Sequence, residues 1–205
     1  MSIGPALEVE VWFDLICPWC WIGKRQLELA LTQFSSLRPQ RHVRVHWRSQ
    51  QLLPDVPPQG IPFREFYLDR LGSAEALAAR QAQVREAGSR VGLAFDFSGI
   101  PLMPNTAAAH ALIADAQARC DAATVNALIL QLFEAHFTRG MNLDDGELLD
   151  LLAGRLGIER RRVPPRLEPV APGVPLFVVN RKIALNGAQP PERLLALLRE
   201  ADANS

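Results

Sequence analysis

Cysteine is scarce in this 205-residue chain, with Cys17, Cys20 and Cys120 its complete set. A tetrahedral zinc site needs four ligands, and Cys120 lies far along the chain in a helical pattern with no histidine close by, so a structural zinc centre is excluded. Net charge is lacking too. Lys plus Arg and Asp plus Glu both number 22, which leaves no field to gather nucleic acid or an anionic membrane. No stretch reaches the roughly 18 apolar residues of a membrane span. The segment Met1 to Glu8 has neither a basic start nor an apolar run of the secretory kind, so the expected location is the cytoplasm. Internal repeats and low-complexity segments are absent. What remains, at 48% hydrophobic and 21% charged residues, is a folded chain of one large domain or one domain with an insertion.

Against that background Cys17-Pro18-Trp19-Cys20 stands out, because it follows the apolar run Val9-Glu10-Val11-Trp12-Phe13 directly. Two thiols then sit where a strand hands over to a helix. Pro18 suits the first helical position, whose N–H would have no intrahelical partner anyway. Cys17 falls at the positive helix end, where outward N–H groups favour a thiolate, and is the expected attacking sulfur. Cys20 lies one turn along the same face, within the Cα spacing of about 5 to 6 Å that a disulfide requires, and is the expected resolving sulfur. In a reducing compartment such a pair is catalytic or redox-sensing more often than structural.

The surrounding pattern places the pair in a fold. Alternation over Leu7 to Leu15 predicts a first strand, the apolar face from Trp21 to Phe34 a helix, and His42 to Trp47 a second strand parallel to the first. Pro54, Pro57, Pro58, Gly60 and Pro62 then break the pattern as a linker. Helices are expected over Phe63 to Leu71, Ser73 to Val91, Asn105 to Cys120, Ala122 to Thr138 and Asp144 to Leu156, with Gly92 to Pro104 a loop. Strands return at Gly173 to Asn180 and Lys182 to Leu185 as a hairpin turning at Asn180 and Arg181, and Pro190-Pro191 opens a last helix. The fold class is therefore α/β, in the order β-α-β, helical insert, β-β-α. Residues 1–61 and 168–205 make one discontinuous domain, and 62–167 an inserted all-helical one.

Phe13-Asp14-Leu15-Ile16-Cys17-Pro18-Trp19-Cys20-Trp21-Ile22-Gly23, together with Asn105-Thr106, Ala109-His110, Gly173-Val174-Pro175-Leu176-Phe177-Val178 and Gly187-Ala188-Gln189, resembles the DsbA-like branch of the thioredoxin fold, most closely its FrnE-type cytoplasmic members. The resemblance spans nearly the whole chain. It implies a thiol-disulfide oxidoreductase acting on protein or small-molecule disulfides, as a monomer or homodimer, with Pro175 cis beside the disulfide. The main chain of Val174 would then receive a substrate as an added strand. Without the resemblance, Pro175 reads as an ordinary trans proline at the start of an edge strand. Two departures stand out. The stretch from Arg160 to Pro172 carries Pro164, Pro165, Pro169 and Pro172, which forbid the helix that family members usually have there. Val11 occupies the position where such proteins usually carry a buried acid.

Several residues near the pair have two readings each. Asp14 either relays a proton during exchange or makes a local loop hydrogen bond. Asn105 and His110 lie near the start of a helix expected to cover the cleft, where His110 either packs or touches substrate. Gln189 either caps the last helix or reaches a ligand. Trp19, with Trp12 and Trp21, offers an apolar platform beside Pro18. Pro18 and Trp19 supply no cation, so the expected reduction potential is lower than that of DsbA itself. Kappa-class glutathione transferases and 2-hydroxychromene-2-carboxylate isomerases, a neighbouring branch, typically place serine where Cys17 stands. They make glutathione the candidate cosubstrate, with no bound cofactor and no metal expected. A redox-regulated holdase built on the helical insert is a third reading.

Overall fold

A computed structural model describes residues 6–160 and 171–204. The chain opens with β1 (Leu7–Phe13), α1 (Pro18–Leu37) and β2 (Val43–Ser49). Next come β3 (Ile61–Pro62), α2 (Phe63–Leu71), α3 (Ala74–Ser89), a single 3-10 turn (Phe97–Gly99), β4 (Leu102–Met103), α4 (Ala107–Arg119), α5 (Ala122–Phe137) and α6 (Gly146–Arg155). It closes with β5 (Leu176–Val179), β6 (Ile183–Asn186) and α7 (Pro191–Ala203). These form two units, Met1–Gln50 with Glu168–Ser205 and Gln51–Leu167. Among the described residues no helix is long and apolar enough to cross a membrane.

The first unit is built on a sheet of order β2-β1-β5-β6, with β2 parallel to β1 and the other neighbours antiparallel. Period-two alternation decides its faces. Leu7, Val9, Val11 and Phe13 are buried, as are Phe177 and Val179 opposite them on β5. This face is closed by α1 through Leu27, Ala30 and Phe34, and by α7 through Leu194, Leu197 and Leu198. Each fully buried side chain of this size contributes about 1.5–3 kcal/mol. Arg38 and Arg41 both pair with Asp202 and tie the end of α1 to that of α7. The opposite face carries Glu8 and Glu10, paired with Arg44, His46 and Arg48 of β2.

The hairpin forms where its turn residues predict. Asn180 (φ 51) and Arg181 (φ 56) are both left-handed, as a tight antiparallel turn requires. Asn180 also joins its N–H to the Glu8 carbonyl at 2.8 Å and its Oδ1 to the Glu8 N–H at 3.0 Å, adding one rung to the β1–β5 ladder. The β5 ladder begins at Leu176 rather than Gly173, because Pro175 has no N–H to give a sheet.

The second unit follows the expected helices within a residue or two. Ser73, Asp121 and Asp145 cap α3, α5 and α6 with side-chain oxygens, while Gly72 ends α2 in the left-handed conformation. Phe63, Phe95, Phe97, Phe133, His136 and Phe137 share one aromatic core. Gly140 (φ 62) lies so close to the Gly99 carbonyl that any Cβ would overlap it. The unit is not all-helical, however. Ile61 and Pro62 pair with Met103 and Leu102 in a short antiparallel ladder at the end of the expected loop. A pair of two-residue strands far apart in sequence leaves no periodic signal. The proline-rich stretch expected to lack a helix falls largely on 161–170, outside the described residues. Arg160 just before it donates to the Gly146 carbonyl and to Asp150.

Candidate active site

Asp14 to Cys17 connect β1 to α1. The Asp14 carbonyl accepts the Cys17 N–H at 3.2 Å, and its Oδ1 accepts the Leu15 N–H at 2.7 Å, so this turn is closed from within. Cys17 is the N-cap of α1, in extended conformation (φ −92, ψ 109), with Pro18 at the first helical position. The Cys20 N–H then reaches back to the Cys17 carbonyl at 3.0 Å. Both thiols are buried, and they lie within hydrogen-bonding reach of each other. Burial pushes the Cys20 thiol well above its ordinary pKa, and the neighbouring Cys17 pushes the same way. The main-chain N–H of Asp14, which points at the Cys20 sulfur, opposes this, while the Asp14 carboxylate adds to it.

The other side of the site comes from the segment entering β5. Antiparallel pairing of Trp12 with Leu176 brings the end of β1 against the start of β5. The Val174-Pro175 peptide bond is cis, and the Val174 carbonyl faces the Cys17 Sγ at 3.9 Å. Pro175 is buried, and its carbonyl accepts the Gly187 N–H at 2.7 Å. Pro18 and Trp19 remain half-buried on the open side of the thiols.

Of the residues singled out in the sequence, Asp14, Cys17, Pro18, Trp19, Cys20, Val174 and Pro175 belong to this one constellation. Gln189 lies in the turn from β6 to α7, where its amide donates to the Asn186 carbonyl at 2.7 Å and accepts from Arg193 at 3.3 Å. Asn105 and His110 belong to the helical unit. The Asn105 amide binds the carbonyls of Pro54 and Val56, the Gln51 side chain and the Ala107 N–H. His110 is wholly buried in α4.

The parts played by two residues of α1 just after the thiols were not foreseen. Gly23, one turn after Cys20, seats α1 on the other side of the site. A Cβ there would stand 3.1 Å from both the Pro175 ring and the Phe177 ring. A glycine inside a strongly periodic helix, against its propensity, is the signal that could have marked it. Lys24 is 2% exposed, pairs with Glu28 and lies 5.9 Å from the centre of the Trp47 ring. Its place on the buried face of α1, four residues after Cys20, was the available clue.

A strand-helix junction carrying two adjacent thiols, on this sheet order, defines a thiol-disulfide oxidoreductase of thioredoxin-like fold. Residues 8–169 match the model of the DSBA-like thioredoxin domain, and the chain belongs to that family. It is 23% identical over 162 residues, 79% of this chain and 72% of the other, to the uncharacterized protein YwbO of Bacillus subtilis. The crystal structure of a probable DsbA oxidoreductase from Streptomyces coelicolor superposes with a TM-score of 0.81 at 26% identity, covering 97% of this chain and 91% of that one. The cytosolic disulfide reductase DsbM from Pseudomonas aeruginosa, solved with GSH, shares the fold at 15% identity with a TM-score of 0.59, covering 94% and 98% of the two chains.

Proposed function

We propose that this protein exchanges disulfides through Cys17 and Cys20, in the manner of the FrnE-type cytoplasmic members of its family. The Cys17 thiolate attacks one sulfur of a substrate disulfide, forming a mixed disulfide and releasing the other sulfur as a thiolate, which takes up a proton. Cys20 then loses its proton and attacks the Cys17 sulfur. This releases the second substrate thiolate and leaves a Cys17–Cys20 disulfide. The substrate gains the two electrons that the dithiol gives up. The reverse sequence oxidises a dithiol, and a small thiol such as glutathione is the class of reductant that would return the pair to its reduced state.

The observation that carries this reading is the Cys17 sulfur, held at the start of α1 with Cys20 one turn behind it and the Val174 carbonyl in front. Outward N–H groups at the helix start suit a negative sulfur. Cys20, buried and slow to ionise, suits the second step, and the Asp14 N–H stabilises its thiolate as that forms. The main chain at Val174 would pair with the residues beside the substrate cysteine. The experiment is capture on a Cys20→Ser variant in cell extract. Mixed disulfides should accumulate at Cys17 and disappear on adding dithiothreitol. A variant that captures nothing, while wild type turns over disulfides, removes Cys17 from the attacking role.

A further inference from the structure

Gln50 follows the last residue of β2 and is held there by its own N–H, which donates to the Phe13 carbonyl at 3.0 Å. Its side chain turns to a segment distant in sequence. Gln50 Oε1 accepts the Ala171 N–H at 2.7 Å, and its Nε2 donates to the Ala171 carbonyl at 3.2 Å. One carboxamide thus makes with Ala171 the pair of bonds that a residue of a neighbouring strand would make. Phe13 is the residue before Asp14, where the thiol-bearing turn begins, and Ala171 stands three residues before Val174. Gln50 therefore joins the strand that leads to the thiols to the segment that carries Val174.

The segment from Ala171 to Pro175 is fixed at both ends, by Gln50 at Ala171 and by the Gly187 N–H at Pro175. Between these anchors Pro172 narrows the backbone choices further. Val174, whose carbonyl faces Cys17, sits inside that span. We propose that Gln50 is a positioning residue for disulfide exchange, holding the Val174 main chain at the height over Cys17 where an extended substrate pairs with it. This rests on the exchange reading above. It also assigns that reading a consequence: substrates that need strand-like pairing depend on Gln50, and small disulfides that need only the Cys17 sulfur do not.

The test compares Gln50→Ala and Gln50→Glu with wild type on two substrates, a disulfide-linked peptide and the small aromatic disulfide 5,5′-dithiobis(2-nitrobenzoate). Losing both hydrogen bonds to Ala171 should raise KM for the peptide about tenfold, equivalent to about 1.4 kcal/mol, with kcat little changed. Reaction with the small disulfide should stay within about twofold, because no main-chain pairing enters it. Gln50→Glu keeps the acceptor for the Ala171 N–H and loses the donor, so it should fall between. A peptide KM unchanged in both variants overturns the proposal, as does a parallel loss on both substrates, which would mark Gln50 as merely structural. Should Gln50→Ala fail to fold, Gln50→Glu decides alone, together with amide exchange of Ala171 in the wild-type protein. A slowly exchanging Ala171 N–H is expected, and rapid exchange overturns the assignment. Activity that survived in Cys17→Ser would instead count against the exchange reading itself.

Discussion

The two units bury different kinds of polar group. Among the described residues, every carboxylate or ammonium that is buried lies in the strand-helix unit: Glu10, Asp14 and Lys24. The helical unit buries a threonine and two imidazoles, Thr106, His110 and His136. It sets two carboxylates, Asp121 and Asp145, at helix starts, where they cap exposed ends. Burying a charge costs several kcal/mol before pairing returns any of it. The strand-helix unit accepts that cost, at Asp14 directly beside its thiols, whereas the helical unit is an aromatic core with conventional caps. Electrostatic chemistry belongs to the first unit and stability by packing to the second.

Substitutions can break this contrast. Cys17→Ser should lower disulfide exchange at least about a thousandfold, as removal of a nucleophile does, and leave the melting temperature within a degree or two. A large fall in melting temperature would mean that the thiol is a packing element. Phe137→Ala in the helical core should do the opposite. It should lose about 3–5 kcal/mol of stability in denaturant titration, while the folded protein still reacts with small disulfides at the wild-type rate. Equal damage to both measurements would deny the division of labour.

The smallest effect concerns proton binding at Cys20. Burial keeps the proton on this thiol in the folded, reduced protein to a higher pH than in the unfolded chain. Its contribution to stability is therefore whole below the unfolded thiol value of about 8.5 and is lost as pH rises through the folded value. Cys20→Ala should flatten the decline of the melting temperature of reduced protein above about pH 8.5. Superimposable decline in the two proteins would exclude the buried thiol as its source.

Local signals in the sequence carried most of the architecture. The alternation of Val9, Val11 and Phe13, the proline beside Cys17 and the serine at position 73 that opens its helix each act within a few residues, so they specify their elements without knowledge of the rest. The β5–β6 turn at Asn180 and Arg181 was legible for the same reason. What could not be read was contact between distant segments. The ladder of Ile61 with Met103, the clasp of Gln50 on Ala171 and the seat that Gly23 gives Pro175 all depend on where the chain returns in space. Asp14 shows the limit within a single site. Its position beside the thiols was plain, but only the fold shows a wholly buried residue whose main-chain N–H and carboxylate act on Cys20 in opposite directions.

The rung between Trp12 and Leu176 has a consequence for how such a chain can change. Because β1 and β5 run in opposite directions, the exit of one and the entrance of the other lie at the same end of the sheet. Cys17 and Val174, 157 positions apart in sequence, are neighbours through that ladder and the Gln50–Ala171 clasp, and not through the helical unit that separates them in sequence. Closing a longer or shorter excursion alters the entropy only logarithmically. The inserted unit, Gln51–Leu167, can therefore be lengthened, trimmed or exchanged for another module while the sulfur and the facing carbonyl keep their separation, making this end of the sheet a fixed socket for interchangeable inserts.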